Sequence, residues 1–147
     1  MFLSFRGEDT RATFTSHLYS ALRNAGITVF KDDTELPRGN HIKTELLHAI
    51  GSSKIAIIIF SREYAASKWC LEELSLIMEL YKSNGQVVLP VFYEVDPTEI
   101  RKQTSSFGEA FQDLIQRISP SKYQVSNWRT ILAQAGSVAG FVVLGSR

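Results

Sequence analysis

Residues Ile55 to Phe60 read IAIIIF, and residues Val87 to Phe92 read VVLPVF. Neither run alternates strictly between apolar and polar residues, which is typical of strands that are buried on both faces. Phe2 to Phe5 and Ile27 to Phe30 are shorter apolar runs. Together these runs predict the strands of a parallel sheet.

Helical patterns separate the predicted strands. The apolar residues between Phe14 and Ala25 recur at helical spacing, and the pattern stops at Gly26, which suits the end of a helix. A second pattern stops at Gly51, and a third is followed by Gly85. Alternating strands and helices imply right-handed crossovers, so we predict an α/β doubly wound sheet with helices on both faces.

The last third of the chain is less regular. Asp96 and Pro97 predict a turn, and Phe107 to Ile118 and Trp128 to Ala139 predict two further helices. The fifth strand has two candidates, which are Phe141 to Leu144 or a short edge strand just before the second of these helices. The sequence does not choose between them.

Length and charge narrow the classes of protein. A chain of 147 residues that is 44% hydrophobic fits a single domain over residues 1–147. The net charge of +1 disfavours nucleic acid and anionic membranes as partners. Cys70 is the lone cysteine, which suits a cytoplasmic protein, and every apolar run is far shorter than the roughly 20 residues that span a bilayer. Because only Met1 precedes the first strand, we expect no signal peptide.

Glu73 is the most informative polar residue of the third predicted helix. At 100° per residue it falls between Trp69, Ile77 and Leu80, on an otherwise apolar arc of that helix. A buried carboxylate is costly unless it has partners or a task, so a functional group is one interpretation. The other interpretation is a carboxylate that the helix dipole stabilises near the helix start.

The loops after the first three strands gather at the carboxyl edge of a parallel sheet, where ligands bind. Arg6 and Arg11 offer forked donors to a phosphate, and Gly7 allows a close approach of the backbone. Alternating acids and bases in such a loop more often pair with one another in solvent. Arg38 and Gly39 fit a phosphate-facing lid, but they also fit a simple turn after Pro37.

Several chemistries find no support in the residues. The loop after the first strand has neither a dinucleotide fingerprint nor a P-loop. The three histidines (His17, His41 and His48) and Cys70 show no zinc spacing, so we predict no metal site. A phosphoacceptor receiver domain would place an aspartate after the third strand, where this chain has Ser61.

A set of linked motifs resembles the Toll/interleukin-receptor (TIR) domain of plant resistance proteins that also carry nucleotide-binding and leucine-rich-repeat regions. The motifs are FLSFRGEDTR from Phe2, FTSHLYSAL from Phe14, KDD and LPRG before the second helix, SKWCLEEL from Ser67, VLPVFYEVDP from Val88 and SFGEAF from Ser106. They cover nearly the whole chain in the family's order. The resemblance implies a five-stranded flavodoxin-like sheet and a cytoplasmic setting, and it leaves a nuclear share open.

The resemblance also implies a reaction, which is the cleavage of NAD or NADP between nicotinamide and ribose by self-associated domains. NAD is then a substrate, and no cofactor is implied. Glu73 matches the family's catalytic glutamate. In the first loop, Arg6, Gly7 and Arg11 match family positions that face the nucleotide. At the start of the third helix, Ser67 and Trp69 match family positions that line the ribose and base side of the pocket. Arg38 is the remaining candidate, although Pro37 precedes it where relatives often carry a basic pair.

Self-association with other TIR domains is the second implied property. Ser16 and His17 match the family's serine and histidine on the first helix, which we expect to face the last helix near Trp128 to Ala139. Gly108 matches a second contact surface of the family. For the surface on the first helix, the alternative is that His17 is a solvated histidine without a partner. A non-catalytic TIR interaction or adaptor module is the alternative to the enzyme, because one fold supports both functions.

Overall fold

A computed structural model describes residues 1–6, 14–31 and 40–143. Its described part contains a five-stranded sheet in the order β2-β1-β3-β4-β5, in which all neighbouring strands are parallel. The strands are β1 (Phe2–Ser4), β2 (Phe30–Lys31), β3 (Ile55–Phe60), β4 (Val87–Tyr93) and β5 (Phe141–Val143). This strand order is the flavodoxin-like doubly wound order, so the predicted fold class is confirmed.

The first three helices end near the glycines that the sequence predicts as stops. The helices are α1 (Phe14–Asn24), α2 (Asn40–Ser52), α3 (Lys68–Asn84), α4 (Pro97–Lys102), α5 (Ser105–Ile118) and α6 (Lys122–Ala135), with a 3₁₀ turn at Tyr64–Ala66. Gly85 caps α3 in the left-handed conformation with φ of 66°, which side chains disfavour. No helix among the described residues combines the length and the apolar character needed to cross a bilayer.

In the last third of the chain, the structure corrects two predictions and decides between the two candidates for the fifth strand. The predicted turn at Asp96 and Pro97 is wrong, because Asp96 begins helix α4 by accepting a hydrogen bond from Thr98 N at 2.7 Å. This bond holds the pKa of Asp96 below its usual value. The last helix begins at Lys122, well before Trp128, because Ser121 caps it. The fifth strand is therefore Phe141–Val143, since the residues before Trp128 are helical.

Helices cover the two faces of the sheet unequally. On one face, Leu3, Ile57 and Ile59 pack with apolar residues of α1. On the other face, a larger cluster joins β1, β3 and β4 to residues of α2, α3, α5 and α6, including the buried Trp128. Helices α1 and α6 therefore lie on opposite faces of one chain. A contact between them would have to join two copies.

Candidate functional site

Glu73 lies in the second turn of α3 and is buried, as the helical periodicity predicts. Its side chain is 1% exposed, among apolar residues that include Leu71, Leu74 and Ile77. The helix begins at this edge of the sheet because Ser67 caps it, with Ser67 Oγ accepting from Cys70 N at 3.2 Å. The cap fixes the start of the helix, and this start places Glu73 beside the end of β1.

Two buried hydroxyl groups are linked to the Glu73 carboxylate, one directly and one through the other. Ser4, the last residue of β1, donates to Glu73 Oε1 at 2.7 Å. The Tyr64 hydroxyl lies 2.8 Å from Ser4 Oγ and 3.1 Å from the Cys70 carbonyl oxygen, to which it donates. Ser4, Tyr64 and Glu73 are each at most 1% exposed. Polar groups buried this deeply need such partners.

The number of protons fixes the direction of these bonds. Ser4 has one hydroxyl proton, and it lies on the bond to Glu73 Oε1. The bond between Ser4 and Tyr64 must then use the phenol proton, which Tyr64 shares with the Cys70 carbonyl. Burial raises the pKa of Tyr64 well above its usual value, and the nearby Cys70 and Glu73 raise it further. Tyr64 therefore remains a donor at neutral pH.

Arg6 lies just after β1, at the edge of the sheet where Glu73 is found. Its Nη1 lies 3.4 Å from Glu63 Oε2, and the two side chains are 21% and 61% exposed. Because the Glu63 carboxylate is exposed, its ion pair with Arg6 contributes little to the stability of the fold. A phosphate would therefore compete with Glu63 for the Arg6 guanidinium at small cost.

The other nucleotide candidates divide into two groups. Ser67 and Trp69 lie at the start of α3, both partly buried, and the Ser67 oxygen also serves as the helix cap. Gly7, Arg11 and Arg38 lie outside the described residues. The structure thus brings Arg6, Ser67, Trp69 and Glu73 to one edge of the sheet, around the end of β1 and the start of α3.

The three interface candidates lie in different surroundings. Ser16 and His17 are exposed on α1. Gly108 is partly buried in α5, where a Cβ atom would overlap the backbone carbonyl oxygen of Gln103 and come within 2.6 Å of its carbonyl carbon. The absence of a side chain at Gly108 therefore serves a contact within the chain. A contact with a second copy is not needed to explain this glycine.

An acidic cleft of about 490 Å³ opens at the ends of β3 and β4. Its lining includes Arg62 and four carboxylates, those of Glu63, Glu94, Glu109 and Asp113. This excess of negative charge would repel the pyrophosphate of a dinucleotide. The cleft is therefore a poorer nucleotide site than the edge near Arg6, and Glu73 does not line it.

Sequence reasoning missed Ser4 and Tyr64 as members of the site. Ser4 does carry a signal, because it is the polar residue within the apolar run Phe2 to Phe5 and lies where this strand ends. Tyr64 has no comparable signal. It follows Glu63 in a polar loop, and only the 3₁₀ turn directs its ring into the core beside Phe60.

Comparisons with known proteins point to one family. The TIR domain family model matches residues 1–144. Disease resistance protein RPV1 of Vitis rotundifolia is 50% identical over 147 residues, which are 100% of this chain and 10% of that protein. TMV resistance protein N of Nicotiana glutinosa is 46% identical over 140 residues, which are 95% of this chain and 12% of that protein. This chain thus spans about a tenth of the length of these relatives.

A solved structure shows the same fold. The TIR domains of the activated Roq1 resistosome, which directly recognises the pathogen effector XopQ, superpose with a TM-score of 0.85 at 45% identity. The match covers 96% of this chain and 85% of that chain. Family model, sequence relatives and structure therefore agree over almost every residue. This chain belongs to the TIR domain family.

Proposed function

We propose that this chain is an immune-signalling TIR domain that hydrolyses NAD or NADP at the nicotinamide–ribose bond when copies associate. The observation that carries the proposal is the buried Glu73 carboxylate at the carboxyl edge of the sheet, 2.7 Å from its donor Ser4. The named relatives are resistance proteins, and the matching solved structure is an activated resistosome. These names support a role in plant defence.

The chemistry requires a fixed negative charge. Nicotinamide leaves as a neutral molecule with the electron pair of the bond to C1′, and positive charge develops on the ribose. Water then bonds to C1′ and loses a proton. A carboxylate held in a dry site stabilises the developing charge and binds the ribose hydroxyls. Among the residues that the structure describes, Glu73 is the buried carboxylate at this edge of the sheet, so we assign this role to it.

The burial of Glu73 explains why copies of the chain would have to associate before a substrate could reach it. With 1% of its surface exposed, the side chain cannot contact a ribose in this arrangement. A neighbouring copy that rearranges the surroundings of Glu73 would open the site, and contacts through Ser16 and His17 would hold the copies together. Both are exposed on α1, which suits a contact between copies.

We expect nicotinamide release to rise faster than in proportion to protein concentration. The measurement is NAD consumption and nicotinamide release at high protein concentration with a crowding agent, with the assembled fraction measured by light scattering. The matched comparison is Glu73→Ala under the same conditions. An assembled, unmodified domain that releases no nicotinamide above background would contradict the proposal and favour the non-catalytic TIR interaction module.

Replacement of Arg6 tests the nucleotide side of the site. We expect Arg6→Ala to raise KM for NAD by about 10-fold with little change in kcat, because a phosphate contact stabilises ground state and transition state alike. Glu63→Ala is the matched control, since it removes one carboxylate that pairs with Arg6 and leaves the guanidinium. It should lower KM or leave it unchanged. Equal KM values for Arg6→Ala and the unmodified chain would exclude Arg6 from binding.

A further inference from the structure

Ser4 is a buried polar residue whose two close partners both belong to the candidate site. It is 0% exposed, and its neighbours in sequence, Leu3 and Phe5, are buried apolar residues of the core. A hydroxyl in such surroundings is costly unless its hydrogen bonds are made. The bonds that satisfy it run to Tyr64 and Glu73. An alanine would fill this strand position without that cost.

The bonds form a directed chain that ends on the carboxylate. Tyr64 donates to Ser4, and Ser4 donates to Glu73 Oε1 at 2.7 Å. Donors in series polarise one another, and a hydrogen bond to an ionised acceptor is about twice as strong as a neutral one. The raised pKa of Tyr64 keeps its proton available to this chain.

The same residues connect three parts of the fold. Ser4 ends β1, Tyr64 lies in the 3₁₀ turn after β3, and Glu73 lies on α3. Phe5 strengthens the connection, because its carbonyl oxygen accepts from Cys70 Sγ at 3.5 Å. The end of β1 leads directly to Arg6. The hydroxyl chain therefore fixes where Glu73 Oε1 lies relative to the start of the first loop.

We propose that Ser4, supported by Tyr64, is a positioning residue that holds the Glu73 carboxylate at the end of β1, where it meets the ribose once the site opens. This inference rests on the proposed function. Ser4 itself contacts no substrate and acts through Glu73. If the pair served packing alone, loss of the Ser4 hydroxyl would change stability and leave the kinetic constants of the folded enzyme unchanged.

The kinetic test compares Ser4→Ala with the unmodified chain. We expect kcat to fall by about 10- to 100-fold with KM within about twofold, as for loss of one hydrogen bond to a charged group that acts in the transition state. Ser4→Thr, which restores a hydroxyl, should recover most of kcat. Tyr64→Phe removes a single oxygen atom and should lower kcat by a smaller factor, because Ser4 keeps its bond to Glu73.

Ser53→Ala is the matched control. Its hydroxyl donates to the Ala49 carbonyl at 2.9 Å, just before β3 and at the opposite edge of the sheet from Glu73. We expect its kcat to be unchanged. An equal loss of kcat in Ser53→Ala and Ser4→Ala would overturn the inference, and so would Ser4→Ala with the kcat and KM of the unmodified chain.

Failure of this inference is distinguishable from failure of the proposed function. An active chain that loses turnover in Glu73→Gln but keeps it in Ser4→Ala retains the function and refutes the positioning role. If the assembled unmodified chain shows no turnover, crystal structures of both forms decide the inference. The Glu73 carboxylate should turn away from its present site in Ser4→Ala, and an unchanged carboxylate position would refute positioning by Ser4.

Discussion

Glu73→Gln is expected to lower nicotinamide release by at least about 100-fold while the protein stays folded. Glutamine has nearly the size of glutamate, and its amide oxygen can still accept the hydrogen bond from Ser4. It carries no charge to stabilise positive charge on the ribose. The variant therefore removes the electrostatic contribution and leaves the packing of α3 in place.

The stability of Glu73→Gln should not fall along with its activity. A buried carboxylate is costly to desolvate, and Glu73 is 1% exposed. We expect the melting temperature to stay within a few degrees or to rise, because the amide has no charge to bury. Differential scanning calorimetry beside nicotinamide release tests both expectations on one sample. This combination separates a functional carboxylate from a structural one.

Glu72→Gln is the matched control on the neighbouring residue. Glu72 is only partly buried, and its carboxylate accepts from Gln124 Nε2 at 3.4 Å, away from Ser4. We expect unchanged nicotinamide release from this variant. Comparable turnover in Glu73→Gln and Glu72→Gln would show that Glu73 has no catalytic role.

The fold and the position of Glu73 were predictable because they follow from local periodicity. The run from Ile55 to Phe60 has the pattern of a strand buried on both faces, and it is the central strand β3. The helical arc that contains Glu73 predicts its burial for the same reason, since side chains on one helix face meet one environment. Such patterns depend on residues close together in sequence.

The partners of Glu73 were not predictable because they are distant in sequence. Ser4 precedes Glu73 by 69 residues and Tyr64 by 60, and only the parallel register of β1 and β3 brings them together. Helix caps caused the errors at the boundaries. Asp96 fits a turn and a helix start equally well, and the choice depends on whether the following residues continue as a helix.

Gly108 could not be interpreted from the sequence for a different reason. The resemblance implies a contact between copies, whereas the structure shows a close contact within the chain. The family pattern assigns it to a surface between copies. Within the chain, Gln103 has φ of 52° and ends α4, and its carbonyl oxygen lies where a Cβ of residue 108 would be. Glycine thus permits the close approach of α5 to the end of α4. This explanation requires no second molecule.

Gly108→Ala is therefore expected to destabilise the folded chain by about 1–2 kcal/mol, and the melting temperature should fall by about 3–8 °C. Alanine favours a helix over glycine by about 1 kcal/mol, so the clash must exceed this gain. It does so because Gln103 contributes backbone atoms, which cannot rotate away as a side chain would. Thermal unfolding at several protein concentrations separates this effect from dissociation.

Gln112→Ala on the exposed side of the same helix is the control, and its melting temperature should not change. The concentration series decides between the two roles of Gly108. A stability loss that persists at the lowest protein concentration places the effect within one chain, because no neighbour is present to be lost. If Gly108→Ala keeps its melting temperature at low concentration but fails to associate at high concentration, the glycine serves the contact between copies and the intrachain explanation is wrong.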